Sequence, residues 1–343
     1  MISKYYSFVF FSGDSYLKLK ARRIFKFYCF LSYLICYCTS VAQTSKTEIA
    51  RALLNEEYSV AESKSLTFLK DHSDDLGILE TLGDSYAYQE KWDMAIEVYT
   101  SLVDLEPQKA NLHYKLGASL AMKASSISKL RAVWYVSDIK KALKRALALD
   151  PHHIEAHWAF VKFYLALPEV LGGGREKALW YASSLASISP VDGFLAKGYL
   201  YKYIDDPKAA ELNYVKAVQM GGSLLCYKEL SNFYLSIHKP EKAMVTLEKA
   251  LEFHRDNQLH YQLGAISADH DVQAQKGIAS LNSYIKNHNF NDELALEWAY
   301  LRLAQIYKNE NNKSLALLYI GNALSKNPDF SLALEEKELI LKL

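Results

Sequence analysis

The chain has 343 residues, half of them hydrophobic, with only 14 Gly and 7 Pro. It holds no low-complexity tract and no long linker, so the composition points to an ordered, core-forming protein. Its 40 Lys and Arg against 39 Asp and Glu give a net charge of +1, which leaves no global basic excess for neutralising nucleic-acid phosphates.

The first element is a basic segment (Lys18, Lys20, Arg22, Arg23), then the apolar run FYCFLSYLICYC at 27–38, then Ser40-Val41-Ala42. A basic flank, a short apolar stretch and a small-x-small site predict a secretory signal over 1–42, cleaved after Ala42. The run is short for a membrane span, which needs about 20 residues; an uncleaved anchor is the alternative. Bulky Ile35 and Tyr37 stand before Cys36 and Cys38, where a lipid-anchor signal wants a small residue. The expected location is exported, in the periplasm or cell envelope. Residues 1–42 carry six basic side chains and one acidic, leaving 34 basic and 38 acidic in 43–343, a net charge of −4. They also hold three of the four cysteines, leaving Cys226 alone and no internal disulfide.

From Leu76 to Pro107 the sequence reads LGILETLGDSYAYQEKWDMAIEVYTSLVDLEP, and its small residues recur at about thirty-four. Ala61 precedes Ala95 by thirty-four, and Gly117 follows Gly83 by the same step. Gly198, Tyr201, Ala210, Tyr214 and Ala217 repeat the order, as do Leu230, Tyr234, Ala243, Leu247 and Ala250. Leu263-Gly264 with Gly277, then Leu303, Tyr307, Ala316, Ala323 and Pro328, complete the series. A period of this length signals stacked helix-turn-helix units. Small residues at the eighth and twentieth places let two helices approach, and large ones at the fourth, seventh, eleventh and twenty-fourth fill between them. Prolines are expected just beyond each second helix, where they do no harm.

This pattern resembles the tetratricopeptide repeat (TPR). The resemblance implies an all-α, right-handed α-solenoid of about eight helix pairs over 43–343, forming one superhelical domain. Repeats start near 42, 76, 110, 154, 191, 224, 257 and 297, and residues 331–343 form a capping helix. It also implies a protein-binding scaffold or adaptor rather than an enzyme, with no cofactor or small-molecule substrate; the alternative is a membrane-surface assembly or transport accessory that acts through a basic insertion at 123–145.

Two stretches depart from the period. Ten residues are inserted between Gly117 and Pro151, within a strongly basic segment, 123–145, that carries Asp138 as its one acid. It reads as two lengthened helices with a solvated basic face, or as an anionic docking patch for a membrane surface or an acidic protein. About five more precede Ala178, in PEVLGGGREKA at 168–178. Its glycines read as a flexible turn; an anion cradle, the sharper reading over 168–175, lacks the lysine-hydroxyl pair of a phosphate loop.

Between them lies HHIEAH, with His152, His153, Glu155 and His157. Ile154 stands where a zinc-protease motif needs its glutamate, and His157 falls at a packing place, so no metal is expected; a metal-dependent enzyme at this cluster is a distant alternative. No Gly-x-Ser-x-Gly elbow exists, and Cys226 has no evident histidine partner.

The resemblance further implies that the second, fifth, ninth and twelfth places of each first helix line a concave groove. Those places give Tyr114, Trp158, Lys162, Tyr199, Lys202, Lys228, Asn232, Tyr261, Trp298, Gln305 and Lys308. Rings with lysines and amides suit an extended peptide. Lys228, Asn232 and Arg302 match the family's carboxylate clamp, whereas Gln262 and Trp298 depart from it. The expectation is therefore a peptide or protein partner in the groove.

Overall fold

A computed structural model describes residues 45–289 and 292–343. The segment expected to be a signal lies outside the described residues. Among those described there are helices and no strand, gathered into two compact units that meet at Pro151 and His152 in sequence.

The first unit pairs α1 (45–54) with α2 (Tyr58–Leu69) and α3 (Leu76–Tyr88) with α4 (Trp92–Leu105). Then α5 (Ala110–Ser125) is followed by the short α6 (Lys129–Ala132), a 3-10 turn at Val133–Tyr135 and α7 (Val136–Leu149). The second unit pairs α8 (Ile154–Ala166) with α9 (Arg175–Ile188), α10 (Pro190–Tyr203) with α11 (Pro207–Gly221), and α12 (Leu224–Ser236) with α13 (Pro240–Phe253). It ends with α14 (Asn257–His270) and α15 (Ala274–Asn287), α16 (Leu296–Asn309) and α17 (Lys313–Lys326), and the closing α18 (Ser331–Leu341). Within each unit, helices pack against their pair mate and against the adjacent pair in sequence, and α18 packs on α16 and α17.

The periodic residues explain the pairing. Ala95, Ala210 and Ala316 are fully buried at the helix contacts. The eighth-place glycine serves as a socket for the large residue near the twenty-fourth place: a Cβ on Gly83 would stand 2.8 Å from the Tyr99 ring. The inserted repeat keeps this geometry, because Gly117 faces Leu143 in the same way. The extra ten residues are taken up by the long α5 and by α6 and its 3-10 turn before the pair re-forms.

Helix starts follow local chemistry. The side chains of Asp75, Asp206, Ser223 and Asn312 accept from backbone N–H groups in the first turns of α3, α11, α12 and α17, satisfying donors with no intrahelical partner. The prolines divide. Pro107, Pro151 and Pro328 follow second helices, whereas Pro207 and Pro240 open α11 and α13 as their first residue, where the missing N–H is not needed.

The turn inside each regular pair rests on a left-handed residue that is never glycine. Glu56, Glu90, Asp205, His238, Asp271 and Asn311 all have φ between 52° and 61°, and each stands fifteenth in its repeat. The two pairs that lack such a residue there are the two with insertions. Four of the six are Asp, His or Asn, the side chains best suited to this region after glycine.

Candidate functional site

The first helices of the second unit carry most of the residues expected to line a groove, and they divide into two patches. The first spans α8 and α10. Trp158 and Tyr199 meet edge to face with ring centres 6.4 Å apart, and the indole N–H of Trp158 donates to Asp192 at 3.2 Å. Asp192 sits one repeat after Trp158 in the first turn of α10, where Ser189 caps the helix and donates its hydroxyl to the Asp192 carboxylate at 2.6 Å. Lys162 is exposed, with its ammonium 5.8 Å from the centres of both rings, which is cation–π range. Tyr199 also lies 6.4 Å from Tyr203, which is 53% exposed, and burial pushes the Tyr199 phenol up, keeping it a neutral donor. Lys202 is exposed on the same helix. No carboxylate among the described residues pairs with Lys162 or Lys202 in an ion pair.

The second patch runs over α14, α16 and α18, and its cations are paired with carboxylates of the same patch. Arg302 is ion-paired with Asp269, donates to Gln305 at 3.0 Å, and shares a hydrogen bond with Tyr261. Gln305 donates to Glu336 at 3.3 Å, and Lys308 pairs with the same carboxylate at 2.6 Å. Tyr261 is buried against Tyr284, and Trp298 packs edge-on to Phe330 at 4.7 Å. On α12, Lys228 lies 3.5 Å from Asp256, and Asn232 is exposed. Two of the three clamp residues thus already hold a carboxylate, Lys228 that of Asp256 at the N-cap of α14 and Arg302 that of Asp269 in the preceding repeat. In the first unit, Tyr114 is half-buried on α5.

The remaining singular stretches have structural roles. His153 caps α8, its ring nitrogen accepting from Ala156 at 3.3 Å, and His157 is buried beside Tyr181. No group of three or more metal-ligating side chains converges among the described residues. The glycine stretch is a hydrogen-bonded turn and not an anion cradle, because all three glycine N–H groups are spent. Gly172 donates to Glu169, Gly173 to Pro168 and Gly174 to Tyr164. A Cβ on Gly173 would lie 1.7 Å from the carbonyl oxygen of Leu167, so only glycine fits there.

Sequence reasoning missed Asp192, Tyr203 and the counter-charges Asp256, Asp269 and Glu336. For counter-charges the sequence offers one cue, a spacing of about one repeat to the cation. Glu80–Lys115, Glu211–Lys242, Asp269–Arg302 and Glu336–Lys308 each join residues about one repeat apart.

Residues 83–123 match the family model described as TPR repeat. A comparison with curated proteins gave no match. Among solved structures, a tetratricopeptide repeat protein from Parabacteroides merdae is 13% identical, with 88% of this chain and 98% of that one covered at a TM-score of 0.43. A thermophilic TPR protein of Thermus thermophilus is 17% identical, with 66% and 98% covered at 0.42. YrrB, described as a TPR protein with an unusual peptide-binding site, is 18% identical, with 57% and 98% covered at 0.39.

Proposed function

Starting from a chain that belongs to the TPR-repeat proteins, we propose that it is an interaction scaffold holding an extended, acidic segment of a partner protein along α8 and α10. The observation that carries this reading is Lys162, poised over Trp158 and Tyr199 without a carboxylate of its own. A partner carboxylate would meet Lys162 and Lys202, and its neighbouring apolar side chains would lie on the rings of Trp158, Tyr199 and Tyr203. Charge-assisted pairs set orientation while the rings supply contact area. The α14–α16 patch carries less of the proposal, because a carboxylate arriving at Arg302 competes with Asp269.

Affinity capture with the wild-type chain and with Lys162→Glu/Lys202→Glu, followed by titration of the protein retained, tests the site. Reversing both charges is expected to weaken binding at least tenfold, while Lys326→Glu on α17 leaves it unchanged. Equal affinity for wild type and double variant would overturn the site and leave the scaffold standing. Place of action belongs to the same proposal: the scaffold works in a bacterial envelope after export, with Gln43 as its mature N-terminus. Mass spectrometry of protein from its own host decides between that mass and an uncleaved chain.

A further inference from the structure

The ten-residue insertion builds a surface that the groove reading does not use. The backbone from Lys129 to Leu149 stays in the right-handed helical region through α6, the 3-10 turn and α7, with Ala132, Val133, Tyr135 and Val136 all αR at the joins. At a helical pitch, Leu130, Trp134, Lys141 and Lys144 or Arg145 fall on one stripe. The opposite stripe, Ile139, Ala142, Leu143 and Ala146, is buried against α5.

The outward stripe is divided along its length. At its start Leu130 is 86% and Trp134 82% exposed, and Val133 between them is exposed too. Farther on, Lys141, Lys144 and Arg145 are exposed, with Lys129, Arg131 and Lys140 flanking and Asp138 as the one acid. Three neighbouring apolar side chains, two of them almost wholly in water, lie in one stripe with exposed cations, which is the makeup of an interaction surface. Leu130 protrudes, and Trp134 rises at the edge of an open depression that it shares with Lys123, Ile127, Arg131, Tyr135 and Asp138. Four of the six cations are lysines, which are depleted at protein–protein interfaces, whereas lysine-rich helices with Trp and Leu on the docking face suit the boundary of an anionic membrane.

We propose that this overhang docks on an anionic lipid surface. Leu130, Val133 and Trp134 enter the boundary between headgroups and acyl chains, where an indole is favoured. Lys141, Lys144 and Arg145, within roughly 20 Å along the helix, meet the lipid phosphates and carboxylates. The proposal is independent of the groove, and it does not call on residues 1–44, which lie outside the described residues.

Co-sedimentation of the full chain with vesicles of phosphatidylcholine, alone or mixed with phosphatidylserine, is the test. Binding is expected on the mixed vesicles and is expected to fall as salt rises. Lys141→Gln/Lys144→Gln/Arg145→Gln should weaken it roughly a hundredfold at low salt, and Trp134→Ala should weaken it several-fold. Lys208→Gln, exposed on α11, serves as control. All these positions are exposed, and circular dichroism checks that each variant keeps its helices. Vesicle association that is equal in wild type and triple variant would assign it to residues 1–44 and overturn the proposal. So would absence of association by the wild type, including the case in which the same cations are found to hold an acidic protein.

Discussion

Glu90 illustrates how much a single backbone angle governs each repeat. Its φ of 58° lets α4 fold back on α3, and Lys91 N–H closes the turn on the Tyr86 carbonyl at 2.9 Å. A non-glycine residue in this region is strained by about 1–2 kcal/mol, while glycine loses more freedom on folding, by about 0.5–1 kcal/mol. Glu90→Gly is therefore expected to raise stability by up to about 1 kcal/mol, and Glu90→Val, whose branched side chain fits left-handed geometry worst, to lower it by about 1–2 kcal/mol. Urea midpoints of the two variants measure this, and a loss with glycine would mean that the Glu90 side chain holds the turn itself.

At the level of the helix pair, the contact is set by absent side chains as much as by present ones. Ala210 is fully buried between α10 and α11, and Gly198 opens the space that the Tyr214 ring fills. Ala210→Leu should overpack the pair and cost about 1–3 kcal/mol, whereas Lys208→Leu, on the exposed side of α11, should stay within about 0.5 kcal/mol. Thermal melts of both variants decide; similar losses would place the limit on helix propensity instead of packing. The same small residues made the pairs legible in sequence. First helices begin at Ala110, Ile154, Leu224 and Asn257, where the period starts its repeats, and the starts at Pro190 and Leu296 are one residue early. The turns were legible only in part, because Glu at two of the six is no signature of left-handed backbone, and Asp, His and Asn at the other four are common in many other settings. At the candidate site the rings and lysines of α8 and α10 were legible from their places; Asp192, second in the repeat that starts at 191, stands at a lining place as well, but its bond to Trp158 shows only in the geometry. The same holds for Arg302: place alone could not tell that Asp269 already holds it. The apolar tip at Leu130 and Trp134 escaped notice because a run of Lys and Arg reads as a solvated face until exposure is known.

Over each whole unit, substantial helix contacts join only the same or adjacent repeats. Stability is then a sum of pair and nearest-neighbour contributions and not one all-or-none quantity. Urea unfolding followed by circular dichroism is accordingly expected to part from unfolding followed by the fluorescence of Trp92, Trp134, Trp158, Trp180 and Trp298; coincident transitions would mean full cooperativity. Strictly neighbourly contact also bears on how the protein is made. No pair waits for a distant part of the chain: each has its partner helix within about thirty-four residues, and the preceding pair has already been synthesised. The protein is thus built to fold in the order in which it emerges, from the ribosome or from the far side of a translocation pore, with little unpaired apolar surface exposed at any moment.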